Sequence, residues 1–124
     1  MSEVLKLSEK AGGPDCGSLL CCITDIEDGK ARQFEFRSGP EIFPIFLQRR
    51  GNDVFAYYNS CPHAGSPLNM KENVFMERSG TYLMCHTHGA LFTLEEGLCV
   101  GGPCVGQSLQ KIAISLKDGM IYLE

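Results

Sequence analysis

Two short segments of the chain each place a cysteine close to a histidine, and this pairing restricts the possible folds more than any other feature. The segments are Cys61-Pro62-His63-Ala64-Gly65-Ser66-Pro67-Leu68 and Cys85-His86-Thr87-His88-Gly89-Ala90. Thiolate sulfur and imidazole nitrogen are ligands that zinc ions and iron–sulfur clusters take from proteins. A glycine stands just past a histidine in each segment, and glycine tolerates the left-handed backbone of a tight loop. The sequence therefore predicts two loops around a metal centre.

The order of these residues distinguishes two kinds of metal site. Two thiolates and two imidazoles suit a single tetrahedral zinc ion. Zinc fingers, however, usually bring two cysteines first and two histidines later, whereas each segment here mixes both residue types. The mixed order favours two bridged metal ions, each taking one type of ligand from both loops. A zinc-stabilised binding module with no redox role is the alternative.

Written as Cys-x-His followed by Cys-x-x-His, the two segments resemble the Rieske iron–sulfur family. The resemblance implies a [2Fe–2S] cluster in which Cys61 and Cys85 bind one iron and His63 and His88 bind the other. Gly101-Gly102-Pro103 looks like the proline-bearing loop that covers the cluster in that family. The resemblance extends over roughly residues 18–124 and implies the Rieske fold.

One residue of the second segment departs from the family pattern. His86 adds a second imidazole directly after Cys85, where relatives often have proline. We expect His88 to be the ligand, because Gly89 follows it and the Cys-x-x-His gap matches the family. His86 is then expected to be a solvated loop residue.

The resemblance also indicates which kind of Rieske centre to expect. Relatives in cytochrome bc complexes join the two loops by a disulfide, and the matching residues here are Ser66 and Thr87. Those relatives also direct hydroxyl groups at the cluster from positions that match Ala90 and Phe92, which have none. Hydrogen bonds to the sulfurs raise the potential of a cluster. We therefore expect a potential in the lower part of the range of about −150 to +300 mV that Rieske centres span.

The rest of the chain alternates short β-like segments with turn signals and has no sustained helical periodicity. We predict an all-β Rieske-type domain of antiparallel strands at residues 18–124, with a smaller cluster-binding subdomain at about residues 60–104. Residues 1–17, polar and glycine-bearing, are predicted to be a loosely ordered N-terminal arm. Hairpins are predicted at Arg50-Gly51-Asn52-Asp53, at Ser79-Gly80 and at Lys117-Asp118-Gly119.

Composition excludes several classes of partner. A net charge of −4 with scattered basic residues argues against nucleic acid as a partner. No apolar run approaches the ~18–20 residues that cross a membrane, and the first residues do not resemble a signal peptide. Seven cysteines without such a peptide indicate metal binding or buried thiols rather than a disulfide framework. We therefore expect a cytoplasmic protein, with Cys99 and Cys104 packed beside the covering loop.

These features predict an electron-transfer component without substrate chemistry of its own, since the inferred cluster leaves no open coordination position. The resemblance implies a ferredoxin that takes single electrons from a flavin reductase and delivers them to a terminal oxygenase. A second possibility is the small Rieske subunit of a larger redox enzyme, such as an assimilatory nitrite reductase.

Overall fold

The computed structural model describes residues 4–10, 13–62 and 65–124. Their regular structure consists of β-strands and two short 3-10 helices, Leu7–Glu9 and Ile23–Asp25, and no α-helix occurs among them. Within these residues, nine strands form three antiparallel sheets of three strands each. The strands are β1 (Leu19–Cys22), β2 (Ala31–Ser38), β3 (Glu41–Arg50), β4 (Asp53–Tyr58), β5 (Leu83–Met84), β6 (Leu91–Phe92), β7 (Cys99–Gly101), β8 (Ile114–Lys117) and β9 (Met120–Leu123). The predicted all-β fold is confirmed.

The largest sheet has the strand order β2-β3-β4, and its central strand β3 pairs antiparallel with both neighbours. The predicted hairpin at Gly51 joins β3 to β4, and this glycine has a φ of +63°. Alternating side chains of β2 place Phe34 and Phe36 on one face, where both pack against the same apolar cluster. This sheet forms the base of the molecule.

A second sheet, with the order β1-β9-β8, brings the first strand beside the last. The predicted turn at Lys117-Asp118-Gly119 joins β8 to β9. Asp118 and Gly119 have φ angles of +53° and +76°, and a type I′ turn requires positive φ at both central residues. This predicted hairpin is confirmed.

The segment before β1 contacts the body of the domain. Leu5 accepts a backbone hydrogen bond from Ala113 at 2.8 Å and donates one to Lys111 at 2.7 Å. Leu7 is completely buried. Residues 1–3 and 11–12 of the predicted arm lie outside the described residues, and the division into an arm and a domain stays a prediction.

The third sheet, β5-β6-β7, is the smallest and carries the second Cys-His segment between β5 and β6. The chain reverses direction at the predicted hairpin, Ser79-Gly80. The strand pairing beside this turn is shorter than expected and consists of one bridge between Met76 and Leu83. The Glu77 carboxylate holds the reversal, because it accepts backbone hydrogen bonds from Ser79, Thr81 and Tyr82. Side-chain bonds therefore replace part of the predicted strand pairing.

Two aromatic side chains join the base sheet to segments that flank the small sheet. Phe46 of β3 stacks on Phe75 with 4.0 Å between ring centroids and 9° between ring planes. The Tyr57 hydroxyl donates a hydrogen bond of 2.6 Å to the Leu94 carbonyl oxygen. Both contacts lie in the apolar cluster that also contains Cys61 and Cys85. No helix in the described part of the chain is long and apolar enough to cross a membrane.

Candidate metal centre

The two Cys-His segments form loops with the same internal hydrogen bonding. The first loop, residues 61–68, follows β4, and the second loop, residues 85–90, connects β5 to β6. In each loop the cysteine N–H donates to a carbonyl near the end of the loop, and a glycine N–H donates back to the cysteine carbonyl. The bonds are Cys61 N to Ser66 O (2.8 Å), Gly65 N to Cys61 O (2.7 Å), Cys85 N to Ala90 O (2.9 Å) and Gly89 N to Cys85 O (2.7 Å).

This closure depends on the glycine in each loop. Gly65 has a φ of +73° and Gly89 a φ of +76°, in the left-handed region that side chains disfavour. The sequence prediction that these glycines permit tight loops is confirmed. Two separate segments therefore present their first residue, a cysteine, in the same local backbone setting.

Burial differs sharply between the two cysteines and His88. Cys61 and Cys85 are completely buried and belong to one apolar cluster, whereas His88 is exposed. His63 lies outside the described residues. The described part of the site therefore has its two thiols on the inner side and an imidazole at the surface.

His86 connects the two loops. Its backbone N–H donates to the Leu68 carbonyl oxygen at 2.8 Å, and its ring Nδ1 lies 3.2 Å from the same oxygen. The residue is half-buried. Sequence reasoning expected a solvated loop residue, but the Leu68 carbonyl draws the ring against the first loop.

Asn59 anchors the first loop to the base sheet, and sequence reasoning missed it. The residue is 6% exposed, and its side-chain Oδ1 accepts a hydrogen bond of 2.9 Å from the Leu68 N–H. Its Nδ2 donates to Asn69 Oδ1 at 3.0 Å, and its own N–H donates to the Pro44 carbonyl at 2.9 Å. A polar residue directly after an apolar strand was the signal available in the sequence.

The third loop, residues 101–106, lies against the second loop. A Cβ atom placed on Gly102 would lie 2.7 Å from Ala90 Cα and 3.2 Å from the Gly89 carbonyl oxygen. Gly102 also has a φ of +90°. Only glycine allows this close approach of backbone to backbone.

Cys99 and Cys104 stand on either side of that close approach. Both are buried, and the Cys104 thiol donates a hydrogen bond of 3.2 Å to the Cys99 sulfur. Burial, followed by the interactions with Cys99 and then with Cys61, raises the pKa of Cys104 to about 12. The expectation that the two cysteines pack beside the covering loop is confirmed, and the structure adds their contact with each other.

The donor set suits a cluster with one sulfur-ligated and one nitrogen-ligated metal. Two buried thiols come from separate loops, and an exposed imidazole comes from one of the same loops. The Ser66 hydroxyl oxygen is buried, with no hydrogen-bond partner among the described residues. An inorganic sulfide is an acceptor that such a hydroxyl can use. Ala90 and Phe92 are completely buried and contribute no hydroxyl group.

Solved structures with the same fold include ferredoxins. A chain from the complex of reduced oxygenase and oxidised ferredoxin in carbazole 1,9a-dioxygenase is 24% identical, with a TM-score of 0.67, over 86% of this chain and 99% of that one. The carbazole 1,9a-dioxygenase ferredoxin of Nocardioides aromaticivorans IC177 is 18% identical, with a TM-score of 0.65. This match covers 86% of the present chain and 96% of that ferredoxin chain. The ferredoxin of Sphingomonas yanoikuyae B1 is 18% identical, with a TM-score of 0.64. This match covers 87% of the present chain and 97% of that ferredoxin chain.

A comparison with curated protein sequences gives no match. A comparison with protein families matches residues 18–116 to the Rieske [2Fe-2S] domain. That match spans most of the chain and includes both Cys-His loops and the third loop. The chain therefore belongs to the Rieske family, and its cofactor is a [2Fe–2S] cluster.

Proposed function

We propose that Cys61 and Cys85 bind one iron ion of the cluster and that His63 and His88 bind the other. The matching hydrogen bonds of the two loops support this assignment, because they give both cysteines the same backbone setting. The complete burial of both thiols and the exposure of His88 support a sulfur-ligated iron inside and a nitrogen-ligated iron outside. When bound, the cluster supplies one-electron chemistry.

The proposed role of the chain is that of a ferredoxin, which carries electrons from a flavin reductase to a terminal oxygenase. The observation that carries this proposal is the exposed position of His88, because an imidazole ligand at the surface brings the cluster within reach of a docking protein. The fold also covers nearly the whole length of ferredoxins from carbazole dioxygenase systems. The chain itself is proposed to have no substrate chemistry.

The proposed location is the cytoplasm, and the proposed partners are redox proteins rather than nucleic acid or membrane. The net charge of −4 favours a partner with a basic docking surface. Seven cysteines in a chain that carries a cluster are in keeping with a reducing compartment.

The first test is the cofactor content of anaerobically purified protein. We expect iron and acid-labile sulfide in equal amounts, visible absorption, and an electron paramagnetic resonance signal after reduction with dithionite. A colourless, folded protein that contains zinc and no sulfide would support the zinc-stabilised module instead.

The second test separates the two imidazoles of the second loop. His88→Cys should shift the potential from the Rieske range towards about −400 mV, the value of clusters with cysteine ligands only. His86→Ala is the matched control, since it removes the neighbouring imidazole, and it should retain the Rieske spectrum. Loss of the Rieske spectrum in His86→Ala with its retention in His88→Ala would reverse the ligand assignment.

The third test addresses the partner. Protein purified under native conditions should be reduced by NADH in the presence of a flavin-dependent ferredoxin reductase, and it should then be reoxidised by an aromatic-ring oxygenase. Stable copurification with a sirohaem protein would instead identify a nitrite reductase subunit.

A further inference from the structure

The Ser66 hydroxyl differs from every other buried polar side chain of the described residues. Its Oγ atom is buried and has no hydrogen-bond partner among them, although the residue as a whole is half-exposed. No other buried side-chain nitrogen or oxygen in the described part of the chain lacks a partner. Burial of a hydroxyl without a hydrogen bond is unfavourable, so such a group in a native protein requires an explanation.

The backbone around Ser66 does not use this hydroxyl. Four carbonyl oxygens of the first loop have other donors. The Cys61 carbonyl accepts from the Gly65 N–H at 2.7 Å, and the Ser66 carbonyl accepts from the Cys61 N–H at 2.8 Å. The Gly65 carbonyl accepts from the Ser60 hydroxyl at 3.2 Å. The Leu68 carbonyl accepts from a backbone N–H of the second loop at 2.8 Å. The first loop is therefore closed without any contribution from the Ser66 side chain.

The position of Ser66 beside Cys61 indicates where its acceptor lies. The hydrogen bond from the Cys61 N–H to the Ser66 carbonyl joins the two residues directly. Cys61 is completely buried in the apolar cluster beneath the loops. The hydroxyl of a half-exposed residue is buried only when it points inward, so Ser66 Oγ lies on the same inner side of the loop as the Cys61 thiol. The acceptor is expected on that side.

We propose that the Ser66 hydroxyl donates a hydrogen bond to a sulfur atom on the Cys61 side of the cluster and thereby raises the reduction potential. The proposal rests on the proposed ligand role of Cys61. Reduction adds one negative charge to the cluster, and hydrogen bonds to charged acceptors are the stronger ones. The donor therefore stabilises the reduced state more than the oxidised state. Ser66 thus supplies from the first loop a hydroxyl donor that Ala90 and Phe92 do not.

Redox titration of two matched variants that contain the cluster tests this proposal. Ser66→Ala and Ser60→Ala each remove one hydroxyl group at the first loop, but the Ser60 hydroxyl has a protein acceptor, the Gly65 carbonyl. We expect the equilibrium constant for one-electron reduction to fall about tenfold in Ser66→Ala, which corresponds to about 59 mV. Ser60→Ala should keep the potential of the unmodified protein. Ser66→Thr retains a hydroxyl and should recover most of the loss.

A second measurement uses the unmodified protein and does not depend on the stability of any variant. In a crystal structure of the oxidised protein with its cluster, Ser66 Oγ should lie within hydrogen-bond distance of a cluster or ligand sulfur. A hydroxyl bonded to an ordered water or a carbonyl oxygen instead, or equal potentials in both alanine variants, would overturn the proposal. A protein without iron and sulfide would refute the proposed function itself, so the two failures are distinguishable.

Discussion

Replacement of Gly102 by alanine would measure how closely the third loop approaches the second. The new Cβ atom would lie 2.7 Å from Ala90 Cα and 3.1 Å from Ala90 N, which are backbone atoms that cannot rotate away. Gly106 provides a matched control in the same loop. It has a φ of +92° against +90° for Gly102, but a Cβ there would meet nothing within 4 Å.

The difference between the two variants isolates the contact with Ala90. A left-handed backbone costs an alanine about 1–2 kcal/mol, and this cost applies to both positions. Alanine also reduces the entropy of the unfolded chain, and this effect is the same at both positions. Overpacking adds about 1–3 kcal/mol at Gly102 alone. We therefore expect about 1–2 kcal/mol of destabilisation in Gly106→Ala and about 2–5 kcal/mol in Gly102→Ala.

Thermal denaturation of the cluster-containing proteins at one fixed scan rate is the appropriate assay. At about 4 °C per kcal/mol for a domain of this size, Gly102→Ala should melt about 4–12 °C below Gly106→Ala. Loss of visible absorbance on storage should also be faster in Gly102→Ala, because the third loop is displaced from the second loop. Equal melting temperatures and equal rates of absorbance loss would refute the close approach of Gly102 to Ala90.

Three further substitutions test the supports of the site. Tyr57→Phe should destabilise the protein by about 1–3 kcal/mol in thermal or urea denaturation, because it leaves the buried Leu94 carbonyl without its 2.6 Å hydrogen bond; an unchanged stability would contradict this. Asn59→Ala should lower the free energy of unfolding by about 1–3 kcal/mol and accelerate loss of the cluster, because the Leu68 N–H loses its acceptor. The decay of visible absorbance at elevated temperature measures the loss of the cluster. Hydrogen bonds from Ser79 and neighbouring N–H groups lower the pKa of Glu77 from 4.5 to about 2. The ionised carboxylate therefore contributes to stability above pH 4.5, and this contribution is lost as the pH falls through about 2. Glu77→Gln should therefore melt below the unmodified protein near neutral pH and converge with it in acid, whereas a gap independent of pH would exclude the ionised carboxylate as the cause.

Local sequence patterns were sufficient to predict several features of the fold. The Asp118-Gly119 turn follows from the positive φ that each of these residues tolerates, and the strand positions of Phe34 and Phe36 follow from alternation. The second predicted hairpin was less accurate. Its turn was found, but the Glu77 side chain replaces much of the strand pairing, and a propensity pattern does not contain that contact.

The surroundings of the candidate centre could not be predicted from local patterns, because they depend on the three-dimensional packing. The hydrogen bond of Asn59 to Leu68 and the approach of Gly102 to Ala90 depend on how separate loops stack. The Ser66 hydroxyl has no hydrogen-bond partner among the described residues, and this too is seen only when the surrounding atoms are in place. His86 differed from expectation because a carbonyl of the other loop lies beside its ring.

The sequence alone determined the family, the cofactor and the all-β class, because cysteines and histidines at fixed spacing, with glycines beside them, are local properties of two short segments. The tertiary structure alone decided which neighbours surround those segments. Cys61 and Cys104 are far apart along the chain, and packing brings both into one apolar cluster. Contacts between distant segments depend on the packing of the whole domain, so residue types and spacing do not specify them.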